Sequence, residues 1–132
     1  MRLFVSMNQK FPVFFYMNIP EAEINEFTIR AKLMYSDANV AQEPVERCET
    51  HKNSVSAQEV KSLYVLQCAE NCPVKYEQQG KHRSNVIRLT DQMAQDSPLA
   101  QPLAIHYSLG CLSSCKAMIR KSTKLVFSLE RR

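Results

Sequence analysis

Glycine is nearly absent: Gly80 and Gly110 are the only two in a chain of 132 residues. With so little of it, and with no long acidic, serine-rich or proline-rich tract, an extended disordered segment is not expected. A glycine-rich phosphate loop and a Gly-x-Ser-x-Gly elbow are both missing, as is any His-Glu-x-x-His pair. A zinc deaminase would need His-x-Glu and Pro-Cys-x-x-Cys, but here the proline follows Cys72 and no His-x-Glu occurs. Cys48 and His51 would make a thiol and a base, yet nothing marks a third group to orient them. No enzyme is expected. No apolar run approaches the roughly 18–20 residues that span a bilayer, so no membrane partner is expected. The run from Phe11 to Met17 has no small-residue cleavage site after it, which argues against a signal peptide. Five cysteines is an odd number, unlike a secreted disulfide framework. A reducing compartment follows, and there thiolates are held by metal more often than paired.

What is present suits one folded domain. The length is one domain's worth, and 45% of the residues are apolar. Charge is unevenly placed. Residues 111–132 carry six cations against Glu130, a local net of +5, while residues 1–110 sum to −1. Such a patch either faces solvent or meets phosphates, where each neutralised phosphate releases counterions. Short β-type segments recur along the chain. Phe27 to Tyr35 alternates apolar and polar positions and reads as a half-buried strand. Val13–Met17 reads as a strand buried on both faces, broken by Pro20 and the acidic stretch Glu21 to Glu26. Tyr64–Cys68, Val74–Tyr76, Asn85–Thr90, Leu103–Tyr107 and Lys124–Glu130 read as further strands, with turns at Pro73, Gly80, Asp91, Pro98 and Pro102. Residues 48–62 read as a long loop with a short helix. About eight short strands with irregular connections predict an all-β antiparallel sandwich, not a barrel of tight hairpins.

The chemistry gathers at two cysteine pairs. Cys48-x-x-His51 and Cys111-x-x-x-Cys115 together offer three sulfurs and one nitrogen, a set that zinc accepts tetrahedrally. With all four positions filled the site would be closed, hence structural. Its task would be to fasten two long loops that no strand ladder holds. Buried cysteine as a small core residue, with His51 in solvent, is the competing reading. Cys68-x-x-x-Cys72 is a rival pair, but it flanks a strand, lacks a nearby histidine and reads as core or edge cysteine. His106 lies in an alternating strand and reads as a satisfied core or interface histidine. His82 falls in a turn.

Five stretches, LFVSMNQKFPVFFYM, the strand Phe27 to Tyr35, VERCETH, IHYSLGCLSSC and IRKSTKLVFSLE, run from Leu3 to Glu130 in a familiar order. They resemble the DNA-binding core of the p-fifty-three (cellular tumour antigen) tumour-suppressor family, and its insect members most. The middle, from about Asn53 to Gln101, matches loosely. The resemblance implies an immunoglobulin-like β-sandwich with long loops bridged by one structural zinc ion. It places Cys48, His51, Cys111 and Cys115 on the zinc ligands and Arg47 on the arginine that buttresses the first zinc loop. Ser114 falls on a phosphate-contacting serine, Arg120 on the arginine that enters the minor groove, and Lys121 on the neighbouring basic position. The segment between Cys115 and Arg120 is one residue shorter than in vertebrate members and lacks their glycines. The implied function is a zinc-dependent transcription factor domain acting on stress and apoptosis genes. The implied partner is double-stranded DNA, through minor groove and phosphates, in the nucleus. Beyond Arg132 the family's next strand and its helix, which reads bases in the major groove, have no counterpart here, nor does its amino-terminal strand and loop. On this reading residues 1–132 are a single, incomplete DNA-binding domain. The alternative is a shortened interaction module, nuclear or cytoplasmic, that contacts full-length family members or other proteins without reading DNA sequence.

Overall fold

The computed structural model describes residues 6–47, 64–68, 74–90, 93, 102–111 and 122–131. Among them are seven strands in chain order: β1 (Phe11–Phe15), β2 (Phe27–Tyr35), β3 (Leu66–Cys68), β4 (Val74–Gln79), β5 (His82–Arg88), β6 (Leu103–Leu109) and β7 (Thr123–Arg131). They form two antiparallel sheets, a smaller one ordered β1-β6-β3 and a larger one ordered β4-β5-β2-β7. The fold is an all-β sandwich, as the spacing of short strands predicts. The short helix expected within residues 48–62 lies outside the described residues.

β2 organises the larger sheet. Its alternation puts Ile29, Ala31, Leu33 and Tyr35 into the core at 2%, 0%, 7% and 3% exposure. Burying each large apolar side chain contributes roughly 1.5–3 kcal/mol. β2 pairs with β7 along its whole length, from Phe27↔Arg131 to Tyr35↔Thr123, and with β5 on its other side. On the outer face one guanidinium joins all four strands. Arg30 of β2 donates from Nε to both carboxylate oxygens of Glu130 on β7, and from Nη1 to Ser84 Oγ on β5 at 2.7 Å. It also pairs with Glu77 on β4 at 2.8 Å.

Aromatic rings close the sandwich. Phe127 of β7 meets Phe15 of β1 edge-on at 5.1 Å and Tyr107 of β6 at 5.8 Å between centroids. Asn85 of β5 is buried and donates from Nδ2 to the carbonyl of Leu66 on β3, a polar stitch between the sheets. β4 and β5 form a hairpin with the two-residue loop Gly80-Lys81. Of these two loop residues only Gly80 has positive φ, +59°, which places it as the first central residue of a II′-type turn.

Three local expectations need correction. The first concerns β1, which is not buried on both faces. It runs Phe11–Phe15 at the edge of the smaller sheet, and Phe14 and Tyr16 point outward at 54% and 83% exposure. An aromatic run marks a strand but not how many neighbours cover it. The second concerns Glu21–Glu26, which does more than end a strand. It forms a 3-10 helix after Pro20, anchored by buried Ile24 and by Arg131, which pairs with Glu23 and Glu26 and lies 4.8 Å over the Phe27 ring. The third concerns His106, which is not a core residue: it faces outward from β6, opposite Pro12, and is exposed.

Candidate metal centre and nucleic-acid interface

Three chain segments meet at one end of the sandwich. The first is Val45–Arg47, just before Cys48. The second is Tyr64–Leu66, and the third is the end of β6 with Gly110 and Cys111. Val45, Val65, Leu66 and Cys111 are all in the core cluster, Cys111 with no exposed surface. Gly110 N–H donates to the Val65 carbonyl at 2.8 Å, which ties the third segment to the second. Arg47 ties the third to the first. Its side chain is buried at 6% exposure, and its guanidinium lies against the bare Cα of Gly110. A methyl group there would stand 2.9 Å from Nε, 3.1 Å from Cζ and 3.2 Å from Nη2. The residue before Cys48 and the residue before Cys111 are therefore in van der Waals contact.

Polar contacts hold the same end from outside. Glu46 approaches Arg83 of β5 at 3.9 Å, and the Arg83 guanidinium sits 5.8 Å from the centroid of Tyr64. Tyr64 in turn meets Tyr76 of β4 at 4.9 Å. Burial raises the pKa of both phenols, so both rings stay neutral and pack as apolar surface. Tyr76 Oη accepts from the Cys68 backbone N–H at 3.2 Å, so β3 and β4 are joined there. Partly buried Cys68 packs against the core cluster, while Cys72, its rival partner, lies outside the described residues. Ser36 N–H donates to the Ser122 carbonyl at 2.9 Å, which fastens the start of β7 to the end of β2. The connection from Cys111 to Ser122 thus leaves and rejoins the sandwich at the same end as Arg47.

Of the sequence-predicted site residues, Arg47 and Cys111 are described, and the structure brings their segments together. Cys48, His51, Ser114, Cys115, Arg120 and Lys121 lie outside the described residues. Among the described residues no three histidine, cysteine or acidic side chains form a metal-sized group, as follows when three of the four candidate ligands fall outside them. Gly110 is the site residue that motif reading passes over. Its signal was its rarity, one of two glycines, directly before a candidate ligand.

The fold and this junction define a class: an all-β sandwich in which the segments next to Cys48 and Cys111 meet at one end. Comparison with protein families makes that specific. The chain matches the P53 DNA-binding domain over residues 1–132, and it belongs to that family. It is accordingly a DNA-binding domain of the transcription-factor kind, from a non-enzymatic family. Comparison with curated proteins finds no match.

Proposed function

We propose that this domain binds double-stranded DNA in a zinc-dependent way, in the nucleus, as part of a transcription factor acting on stress-response and apoptosis genes. The observation that carries the zinc reading is the seat of Arg47 on Gly110. It puts the residues next to Cys48 and Cys111 in contact, although 62 residues separate them in sequence. Cys48, His51, Cys111 and Cys115 are then the ligands, a set of three thiolates and one imidazole that suits tetrahedral zinc. Bound zinc supplies a cross-link here and no reactive water, because four protein ligands close the site. Cys111 brings its thiol from the core, and Arg47 positions the segment that carries Cys48. On the connection that follows, Ser114 contacts a phosphate, Arg120 enters the minor groove and Lys121 adds charge beside it. Lys116, Arg120 and Lys121, with no acidic residue among positions 112–121, support this connection as the part that meets the duplex, while Arg131 pairs with Glu23 and Glu26 at the other end of β7.

Metal analysis of the purified chain is expected to give one zinc per molecule, with most of it lost in His51→Ala. Cobalt substitution is expected to give a tetrahedral absorption spectrum. Arg120→Ala is expected to weaken duplex binding and to lower the slope of log affinity against log salt by about one phosphate's worth. A metal-free folded protein would end the zinc reading, and an unchanged salt slope would end the assignment of Arg120.

A further inference from the structure

We propose that the outer face of the larger sheet is a second anion-binding surface, which docks an acidic, extended segment of a partner protein. The strand register sets which residues share this face. Arg30 and Lys32 of β2 stand beside Val86 and Ser84 of β5, and Thr28 stands beside Arg88. Lys75 and Glu77 of β4 continue the face on one side, Lys124 and Glu130 of β7 on the other. Five cations therefore meet two carboxylates, a net of +3. The outer face of the smaller sheet differs. Its paired positions, Pro12, Phe14, Gln67, Ala104, His106 and Ser108, hold no lysine, arginine or acid.

Both carboxylates are already held by Arg30. Lys32, Arg88 and Lys124 are left with no ion pair among the described residues, and Arg88 and Lys124 are exposed. Lys75 approaches Glu77 at 3.2 Å but keeps 77% of its side chain exposed. Along the strands, Lys124 lies two residues' rise to one side of Lys32, and Arg88 four to the other. At about 3.4 Å per residue these steps are about 7 and 14 Å. Carboxylates on one face of an extended chain recur every two residues, again about 7 Å, and fall into step with these cations. At the Arg88 end the face opens into a cavity of about 530 Å³, lined in part by Thr28, Val74 and Val86 together with Lys75 and Arg88. Such a hollow suits an apolar side chain set between acidic neighbours. No phenylalanine, tyrosine or tryptophan stands on the face, so stacked bases have no platform. Glu77 and Glu130 also repel a backbone of closely spaced phosphates. A peptide is favoured over a nucleic acid.

Fluorescence anisotropy on the 132-residue chain, with a labelled glutamate-rich decapeptide carrying one central leucine, tests this. The peptide is expected to bind, and to bind more weakly as salt rises. Lys32→Glu combined with Arg88→Glu is expected to weaken it about tenfold or more, while Lys121→Glu leaves it unchanged. Thermal melts that match the parent separate lost docking from lost folding. Lys32→Gln with Arg88→Gln removes charge without adding an acid, serves where the reversal unfolds the chain, and is expected to cost about threefold. Absence of salt-dependent binding would overturn the proposal. So would an equal loss in Lys121→Glu, which would move the site to the 112–121 connection. A decathymidine oligonucleotide that binds as tightly, and is lost with the same substitutions, would also overturn it.

Discussion

Gly110 decides how close two segments can come. With no Cβ it lets the Arg47 guanidinium lie flat on its backbone, in a place where an alanine methyl would sit 2.9 Å from Nε. The arginine tip is flexible in principle, but at 6% exposure it has little room to withdraw. Gly110→Ala is therefore expected to cost about 1–3 kcal/mol, the usual range for overpacking a filled core. Urea unfolding would measure it. On the proposed metal site it should also lower zinc retention, because the pushed residue precedes Cys48. The spacing of cysteines and histidine made the four candidate ligands legible from the chain alone. The contact between Arg47 and Gly110 was not legible, because glycine leaves no side-chain pattern and arginine in a loop normally reads as solvent-exposed.

At the level of elements, the clearest expectation is β2, whose strict alternation matches the strand from Phe27 to Tyr35. β1 and the 3-10 helix were less legible for a shared reason. Each depends on a distant partner: β1 on having only β6 beside it among the described residues, and the helix on Arg131 from β7. The β4–β5 hairpin gives a clean local test. No other atom lies within 4 Å of a Cβ built on Gly80, so any effect of a side chain there comes from its positive φ. Gly80→Ala is expected to cost about 1–2 kcal/mol, and Gly80→Asn less, because asparagine is more common than alanine at the positive-φ positions of primed turns. Thermal melts of the two variants side by side would resolve the difference.

For the whole molecule, the Arg30 cluster links stability to pH. Hydrogen bonds from Arg30, with Lys75 adding to one of them, hold Glu77 and Glu130 below the ordinary carboxylate range. Burial opposes the charge on Arg30, but the two carboxylates outweigh it and raise its pKa further. Depressed carboxylates bind fewer protons in the folded than in the unfolded chain. Their contribution is therefore complete above the unfolded glutamate pKa, about 4.3, and is lost as pH falls through the lower folded values. Arg30→Leu is expected to cost about 1–2 kcal/mol near neutral pH, and to flatten this acid-side slope in urea midpoints measured across pH. The figure is modest because Glu77 and Glu130 stay 26% and 40% exposed and can rehydrate. The sequence by itself determined the all-β class and the alternation that buries one face of β2, and it named three thiolates and one imidazole as candidates for a metal. These follow from periodicity and residue chemistry, which are local properties. Tertiary structure alone decided that one guanidinium ties four strands and that Arg47 rests on Gly110. Each of those depends on where distant segments pack, and no local pattern encodes that.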